Sequence, residues 1–170
     1  MIKETLQKAI NEQIVREMYS SNLYLSMAAY YATINLNGFA NWMRVQAEEE
    51  LTHALKFFDY VIDRGGKAVV GAIPAPTIEW KDEIKPFEDA YEHEQKVTNW
   101  INELMDLATQ EKDYALISFL NWFIDEQVEE EKNTSEILDR LHLAGGSKAS
   151  LFLLDNELKT RTFTPPTTNA

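Results

Sequence analysis

FEDAYEHEQKVTNWINELMDLA, residues Phe87 to Ala108, is the stretch that decides the fold. Its apolar residues Phe87, Ala90, Val97, Ile101, Leu104 and Ala108 recur mostly at steps of three, four or seven. That spacing lines them up along one side of an α-helix, whereas a strand would need alternation. Glu94 stands in the middle of the stripe. A carboxylate at a core-facing position costs several kcal/mol when nothing compensates it, so the surrounding helices must bring something to it.

The same periodicity, followed outward, predicts a third helix from about Glu83 to Glu111 and three more, near Glu4 to Ile34, Phe39 to Arg64 and Asp113 to Leu143. The first ends before Asn35-Leu36-Asn37-Gly38 and the second at Gly65-Gly66, where glycine favours a helix stop. Asp113 can cap the fourth. Short turns make the first and second helices antiparallel, and likewise the third and fourth. Gly65 to Trp80, with Pro74 and Pro76, is long for a structureless connection. Helices of this size are roughly 40 Å long and such a loop reaches about 50 Å. It can therefore run the length of a bundle and set the second and third helices parallel. The expected fold is all-α, a four-helix bundle with one long crossover; a linker between two separate hairpins is the alternative. After Ala144-Gly145-Gly146, Leu151-Phe152-Leu153-Leu154 predicts a short fifth C-terminal helix over about 147–158. The whole chain, 1–170, reads as one domain with its bundle over about 4–143 and a loose Thr- and Pro-rich tail over 159–170.

Composition narrows the chemistry. With 170 residues, 45% of them hydrophobic, the chain can bury a continuous core. It has no cysteine, which excludes disulfides, iron–sulfur clusters, zinc ribbons and thiol catalysis. Any metal must be held by oxygen and nitrogen. The net charge of -12 speaks against nucleic acid and anionic membranes as partners, since phosphate contacts need clustered Lys and Arg. Cations are the favoured small partners, although acidity alone also keeps a protein soluble. No apolar run is long enough to span a bilayer and Met1-Ile2-Lys3-Glu4-Thr5 does not begin a leader, so a soluble, cytoplasmic protein is expected.

Every predicted helix has a polar insertion near mid-length. The first seam reads Leu6, Ile10, Gln13, Glu17, Ser21, Tyr24, Ala28, Tyr31. The second carries Met43, Glu50 and Phe57, with Gln46, His53 and Tyr60 beside them; the fourth runs Leu120, Phe123, Gln127, Glu130, Thr134, Ile137, Leu141. Glu17 maps onto Glu94, Glu50 onto Gln127 and His53 onto Glu130, each 77 residues on, the distance from position 17 to position 94. Two similar hairpins with approximate twofold symmetry would produce this. One polar residue in a seam commonly does no more than set register, but here there are six, and no Lys or Arg occupies the seams. Glu17, Glu50, Glu94 and Glu130 carry four negative charges when ionised, which two divalent ions neutralise, with His53 and Gln127 adding neutral donors. Carboxylates bridging two ions roughly 3.5 to 4 Å apart, completed by imidazole, suit iron or manganese. The arrangement matches the known carboxylate-bridged di-iron bundles, in which two helices each give a Glu and two others a Glu-x-x-His.

Glu17 with Tyr24, Glu49-Glu50-Leu51-Thr52-His53, Tyr91-Glu92-His93-Glu94 and Glu126-Gln127-Val128-Glu129-Glu130-Glu131 together closely resemble the prokaryotic non-haem ferritins, over nearly the whole chain. The resemblance implies that Glu17, Glu50 and His53 hold one iron, that Glu50 bridges to a second held by Glu94 and Glu130, and that Gln127 assists. Tyr24 matches the family's tyrosine beside the diiron centre, expected to supply an electron during oxygen reduction; an ordinary buried aromatic is the other reading. Glu49, Glu126 and Glu129 match a third iron site, with a solvated acidic face as the alternative. Gln127-x-x-Glu130 replaces the Glu-x-x-His of bacterioferritin and Leu51 stands where that family has its haem-ligating Met, so no haem is expected. Rubrerythrin-type peroxidases need a cysteine-ligated iron domain that this chain cannot form. His93 and His142 lack a complete ligand set and read as surface residues.

By the same resemblance the activity is that of a ferroxidase serving iron storage. Dioxygen takes one electron from each of two ferrous ions, and the ferric product is deposited as mineral inside a homo-oligomeric shell of 24 subunits. Trp42 and Phe58, off the seams, are candidates for subunit contacts. Two rivals stand beside this reading: a soluble diiron oxygenase or peroxidase acting on an organic substrate, and a metal-free helical interaction protein with its seam carboxylates protonated or hydrated.

Overall fold

The structure is a computed structural model that describes residues 2–165. Among them are five helices and no strand: α1 (Glu4–Thr33), α2 (Asn37–Asp63), α3 (Lys85–Gln110), α4 (Tyr114–Ala144) and α5 (Lys148–Leu158). Asn35 takes a left-handed backbone (φ 62) and turns the chain within three residues, so α2 begins at Asn37, earlier than its apolar seam suggests. Pro86 sits in the first turn of α3, where a missing N–H leaves no bond unmade. Asp113 caps α4 as expected, its side chain accepting from Leu116 N at 3.0 Å.

Contacts between helix ends settle the topology. Arg64 beyond α2 pairs with Asp113 ahead of α4 at 2.8 Å, Lys3 ahead of α1 reaches Glu111 beyond α3 at 2.7 Å, and Phe39 and Phe87, near the heads of α2 and α3, meet edge to face at 5.9 Å. Hence α2 and α3 run parallel and α1 and α4 run against them. The crossover climbs along α1. Lys67 N donates to Gln7 Oε1 at 2.8 Å, Val69 N to Asn11 Oδ1 at 3.0 Å, Ser26 Oγ to Thr77 O at 2.5 Å and Tyr31 OH to Glu83 O at 2.7 Å. Backbone groups that a helix or ladder would have paired find partners on α1 instead.

Two apolar clusters fill the bundle. One gathers Tyr24, Met27, Tyr31, Phe39, Trp42, Met43 and Phe87; the other gathers Leu6, Ile10, Phe57, Val61, Val97, Ile101, Leu104, Leu120 and Phe123. The polar insertions of the four helices form the layer between them. Trp42 is interior, 4% exposed and 5.1 Å from the Phe87 ring, which corrects its reading as a subunit contact; Phe58 packs, partly buried, at the edge of the second cluster. No helix among the described residues is long and apolar enough to cross a membrane.

α5 folds back over the head of α2. Ser147 caps it, and Leu154 and Leu158 bury themselves in the first cluster. Asp155 Oδ1 accepts from Gly38 N at 2.6 Å and from Phe39 N at 3.2 Å, giving α2 the N-terminal cap that its own Leu36 cannot supply. A Cβ on Gly38 would lie 1.6 Å from Asp155 O, so glycine is what permits this approach. The expected loose tail is fixed at its start, since Asn41 Nδ2 donates to Leu158 O at 3.2 Å and to Arg161 O at 2.9 Å; the part of that expectation covering residues 166–170 lies outside the described residues. Asp155→Ala should cost about 1 to 2 kcal/mol, and Gly38→Ala at least as much by displacing α5. Thermal denaturation with limited proteolysis of the C-terminal segment checks both, and an unchanged midpoint in both variants would refute the capping role.

Candidate metal centre

The six residues expected at the centre come together, none more than 4% exposed. Glu17 projects from mid-α1, Glu50 and His53 from adjacent turns of α2, Glu94 from α3, and Gln127 and Glu130 from adjacent turns of α4. Ligand atoms of Glu17, Glu50 and His53 all lie within 4.8 Å of one another, as do those of His53, Glu126 and Glu130. His53 therefore belongs to both groups. Its ring packs edge-on against Trp122 and Phe123 at 5.5 and 5.9 Å, which fixes the direction of its nitrogens.

Glutamines and a tyrosine hold the carboxylates in place. Gln13 Nε2 donates to Glu17 Oε1 at 2.7 Å. Gln46 Nε2 donates to Glu130 Oε2 at 2.6 Å and, at the limit of a bond, to Glu50 Oε1 at 3.4 Å, tying α2 to α4. Tyr24 OH donates to Glu94 Oε1, and Gln127 Nε2 faces Glu94 Oε2 at 3.3 Å. Gln127 thus positions Glu94 through its amide nitrogen. Gln13 and Gln46 were visible as seam residues but had no role assigned. Each precedes a seam Glu by four residues, one turn away on the same face, and that spacing was the available signal.

Burial, and then the negative charge of Glu50, push the carboxyls of Glu17 and Glu94 up to about 8. Burial also raises Glu50 and Glu130, reinforced in Glu50 by Glu130 and in Glu130 by Glu94. Among the described residues no Lys or Arg forms a salt bridge with these four; Glu50 has only His53 Nδ1, at 3.6 Å, too long for a hydrogen bond. Among the described residues three buried side-chain oxygens find no hydrogen-bond partner: Glu17 Oε2, Glu50 Oε2 and Gln46 Oε1. All three belong to this layer. Oxygens left bare in a dry interior need a proton or a cation. Tyr24 is held as the neutral phenol, its acidity suppressed by burial and then by Glu94.

The outer acidic residues separate. Glu126 is partly buried and joins His53 and Glu130. Glu129 is exposed, close enough for its charge to raise Glu49 and Glu126. Glu49 is partly buried and forms a 2.5 Å ion pair with Arg161. His93 differs from its surface reading: it is 5% exposed, its Nε2 lies 2.7 Å from Ser20 Oγ, and its ring meets Tyr19 and Trp100. Burial lowers it to about 4, so it packs as a neutral ring. Trp100, seven residues on, was the sign of that second buried stripe. His142 is exposed, as expected.

Comparison with known proteins agrees with this geometry. The sequence pattern of the Ferritin-like domain matches residues 7–144. A bacterial non-heme ferritin of Staphylococcus saprophyticus is 44% identical over 163 residues, covering 96% of this chain and 98% of its own length. One from Bacteroides fragilis is 45% identical over 161 residues, covering 95% and 100%. Among solved structures, an Archaeoglobus fulgidus ferritin engineered into a closed form superposes with a TM-score of 0.95 at 49% identity, covering 96% of this chain and all of its own. The open pore ferritin of that hyperthermophilic archaeon gives 0.94 at 49% identity, covering 95% and 100%. Matched by the family's pattern over residues 7–144 and more than 40% identical to these relatives over nearly its whole length, the chain belongs to the ferritin family.

Proposed function

We propose that this protein is an iron-storage ferroxidase that takes Fe(II) as its substrate, oxidises it with dioxygen in the buried acidic layer and passes the ferric product to a mineral in a hollow shell. The observation that carries the reading is the layer of four buried carboxyls in which Glu17 Oε2 and Glu50 Oε2, with the Gln46 amide oxygen beside them, find no hydrogen-bond partner. In this reading Glu17, Glu50 and His53 hold one ferrous ion, Glu94 and Glu130 the other, and Glu50 bridges. Iron supplies the redox chemistry, each ion giving one electron to dioxygen. The chain supplies the rest. Gln13, Gln46 and Gln127 orient carboxylates before metal arrives, which spares reorganisation at the moment of binding. Tyr24 bonds to Glu94 and, once iron has displaced the Glu94 proton, can give one electron to dioxygen while its own proton passes to that carboxylate. Glu126, Glu49 and Glu129 would form a third iron site sharing His53 and Glu130, and no haem is involved. Exposed Leu25, Ile62, Val70 and Ile78 would be covered by neighbours in a shell of 24 subunits in the cytoplasm.

One observation favours the rival diiron oxygenase: a cleft of about 370 Å³ between α3 and α4, lined by Thr98, Ile101, Asn102 and Val128 among others, has Gln127, beside Glu94, in its wall. Mass in solution decides between them. A shell-sized particle that takes up many irons per subunit is expected; a stable monomer retaining only the irons of its centre would remove storage.

Adding Fe(II) in air and following oxygen uptake with ferric absorbance tests the centre. Glu94→Ala should slow oxidation by at least about tenfold, and Tyr24→Phe should slow it while leaving anaerobic iron binding unchanged. Equal rates in wild type and Glu94→Ala would end the diiron reading.

The raised carboxyls make a second test. They hold protons more tightly folded than unfolded, where their ordinary value is 4.5, so the metal-free protein is most stable at acid pH with respect to these groups. That contribution is lost as pH rises towards about 8. A divalent ion must displace the protons. Metal binding at about pH 6.5 should therefore release more protons than at about pH 9 and should restore the midpoint lost at high pH. A pH-stat titration with zinc ion reads the release, and equal release at both values would contradict protonated carboxyls.

A further inference from the structure

We propose that Arg161 is a built-in counterion which competes with iron for Glu49 and so sets the affinity of the outer site. This rests on the reading of Glu49, Glu126 and Glu129 as a third iron site.

Arg161 lies just beyond α5 and is held on several sides. Its Nη2 meets Glu49 Oε2 at 2.5 Å, its Nη1 donates to Trp42 O at 3.3 Å, and its guanidinium lies 4.4 Å from the centroid of the Trp42 ring. Its own carbonyl accepts from Asn41 Nδ2 at 2.9 Å. With its partners on α2 and its backbone on the segment clamped by Asp155, this is a placed cation rather than a solvated surface arginine. Both side chains of the ion pair are only about a fifth exposed, 21% and 23%.

Glu49 stands where three influences meet. Burial raises its carboxyl, Arg161 and then His53 draw it down, and Glu126 and Glu129 push it up. It therefore shares the field of the His53, Glu126 and Glu130 group, yet its own carboxylate is absent from that group, and its Oε2 faces the guanidinium. Lys56, seated over the Trp122 ring at 4.4 Å, is the cation on the other flank, acting on Glu126. A guanidinium keeps its proton at any working pH. An incoming ion must accordingly displace a permanent positive charge from one of its ligands. Among the described residues no Lys or Arg pairs with the inner carboxylates. The outer site is thereby made weaker than the inner ones, a place that iron enters and leaves. Because Arg161 sits on a segment outside the four-helix layer, it can swing away without disturbing Gln46, Glu50 or His53.

Equilibrium dialysis of the assembled, full-length protein against Fe(II) under strict anaerobiosis tests this, with the dissociation constant of the weakest class of site as the readout. Arg161→Gln should tighten that class by about two- to fivefold, the order expected for removing a competing ion pair, and leave the tight sites unchanged. Arg161→Lys should stay near wild type, an outcome that docking of the tail alone would not dictate. Glu49→Gln should weaken the class and cancel the effect of Arg161→Gln in the double variant. If Glu49→Gln changes nothing, the third-site reading fails and the competition with it. If Glu49→Gln weakens binding while Arg161→Gln leaves it unchanged or weaker, only the competition fails. Should Arg161→Gln not assemble, a wild-type crystal soaked in zinc ion decides: Arg161 swung clear of a Glu49-bound ion supports the proposal, and Arg161 still paired with Glu49 beside a filled site overturns it.

Discussion

The constraint on which the rest of the structure depends is the burial of four carboxyls, Glu17, Glu50, Glu94 and Glu130, in one layer between two apolar clusters, where no Lys or Arg among the described residues forms a salt bridge with them. Charge cannot persist there unaided, and protons fill the need only until a better cation arrives. The apolar clusters make this possible. They lock the ends of the bundle, through the Tyr31, Phe39 and Phe87 rings on one side and the stacked Phe57 and Phe123 rings, 4.1 Å apart, on the other. The middle can then hold an arrangement that is unfavourable by itself.

Most of this was legible in the sequence because helical periodicity and site chemistry are both recorded at fixed spacing. Glu94 interrupts an apolar stripe, and that interruption is readable wherever the flanking stripe is unambiguous. The crossover was legible for a different reason, its length matching that of the bundle. What was hidden depends on which of several faces a residue takes. His93 and Trp42 lie on flanks that a seam drawn with a single stripe leaves out, and both turned out buried. Gln13 and Gln46 lie within the seams, but a glutamine declares no role until its amide is seen against a carboxylate. Arg161 was least legible of all, since its partner is 112 residues away and the contact depends on α5 folding back over α2.

That return of α5 shows how a peripheral element bears on the centre. Asp155 supplies the cap to α2, the helix that carries Glu49, Glu50 and His53. A cap fixes the first turn, and a helix transmits position along its axis with little loss because each turn is bonded to the next. The same anchoring delivers Arg161 to Glu49, so stability of one end of α2 and the charge around its middle come from a single segment.

The approximate twofold symmetry ends at the level of hydrogen bonds. Each hairpin contributes two carboxylates, and each of the four accepts at least one hydrogen bond, Glu17 from Gln13, Glu50 and Glu130 from Gln46, but among the described residues only Glu94 takes donors, from Tyr24 and Gln127, on both of its oxygens. The partnerless carboxylate oxygens belong to Glu17 and Glu50 on α1 and α2, beside His53. A cation arriving there displaces protons alone and meets two oxygens that no donor from another residue type holds, whereas one arriving at Glu94 must also displace the Tyr24 and Gln127 donors. The histidine in place of a fifth carboxylate adds a neutral nitrogen donor where charge repulsion is already high. The first hairpin thus holds the half that gains most from the first ion, and the second holds a half shaped and satisfied in advance, which is how one repeated backbone unit yields two chemically distinct positions.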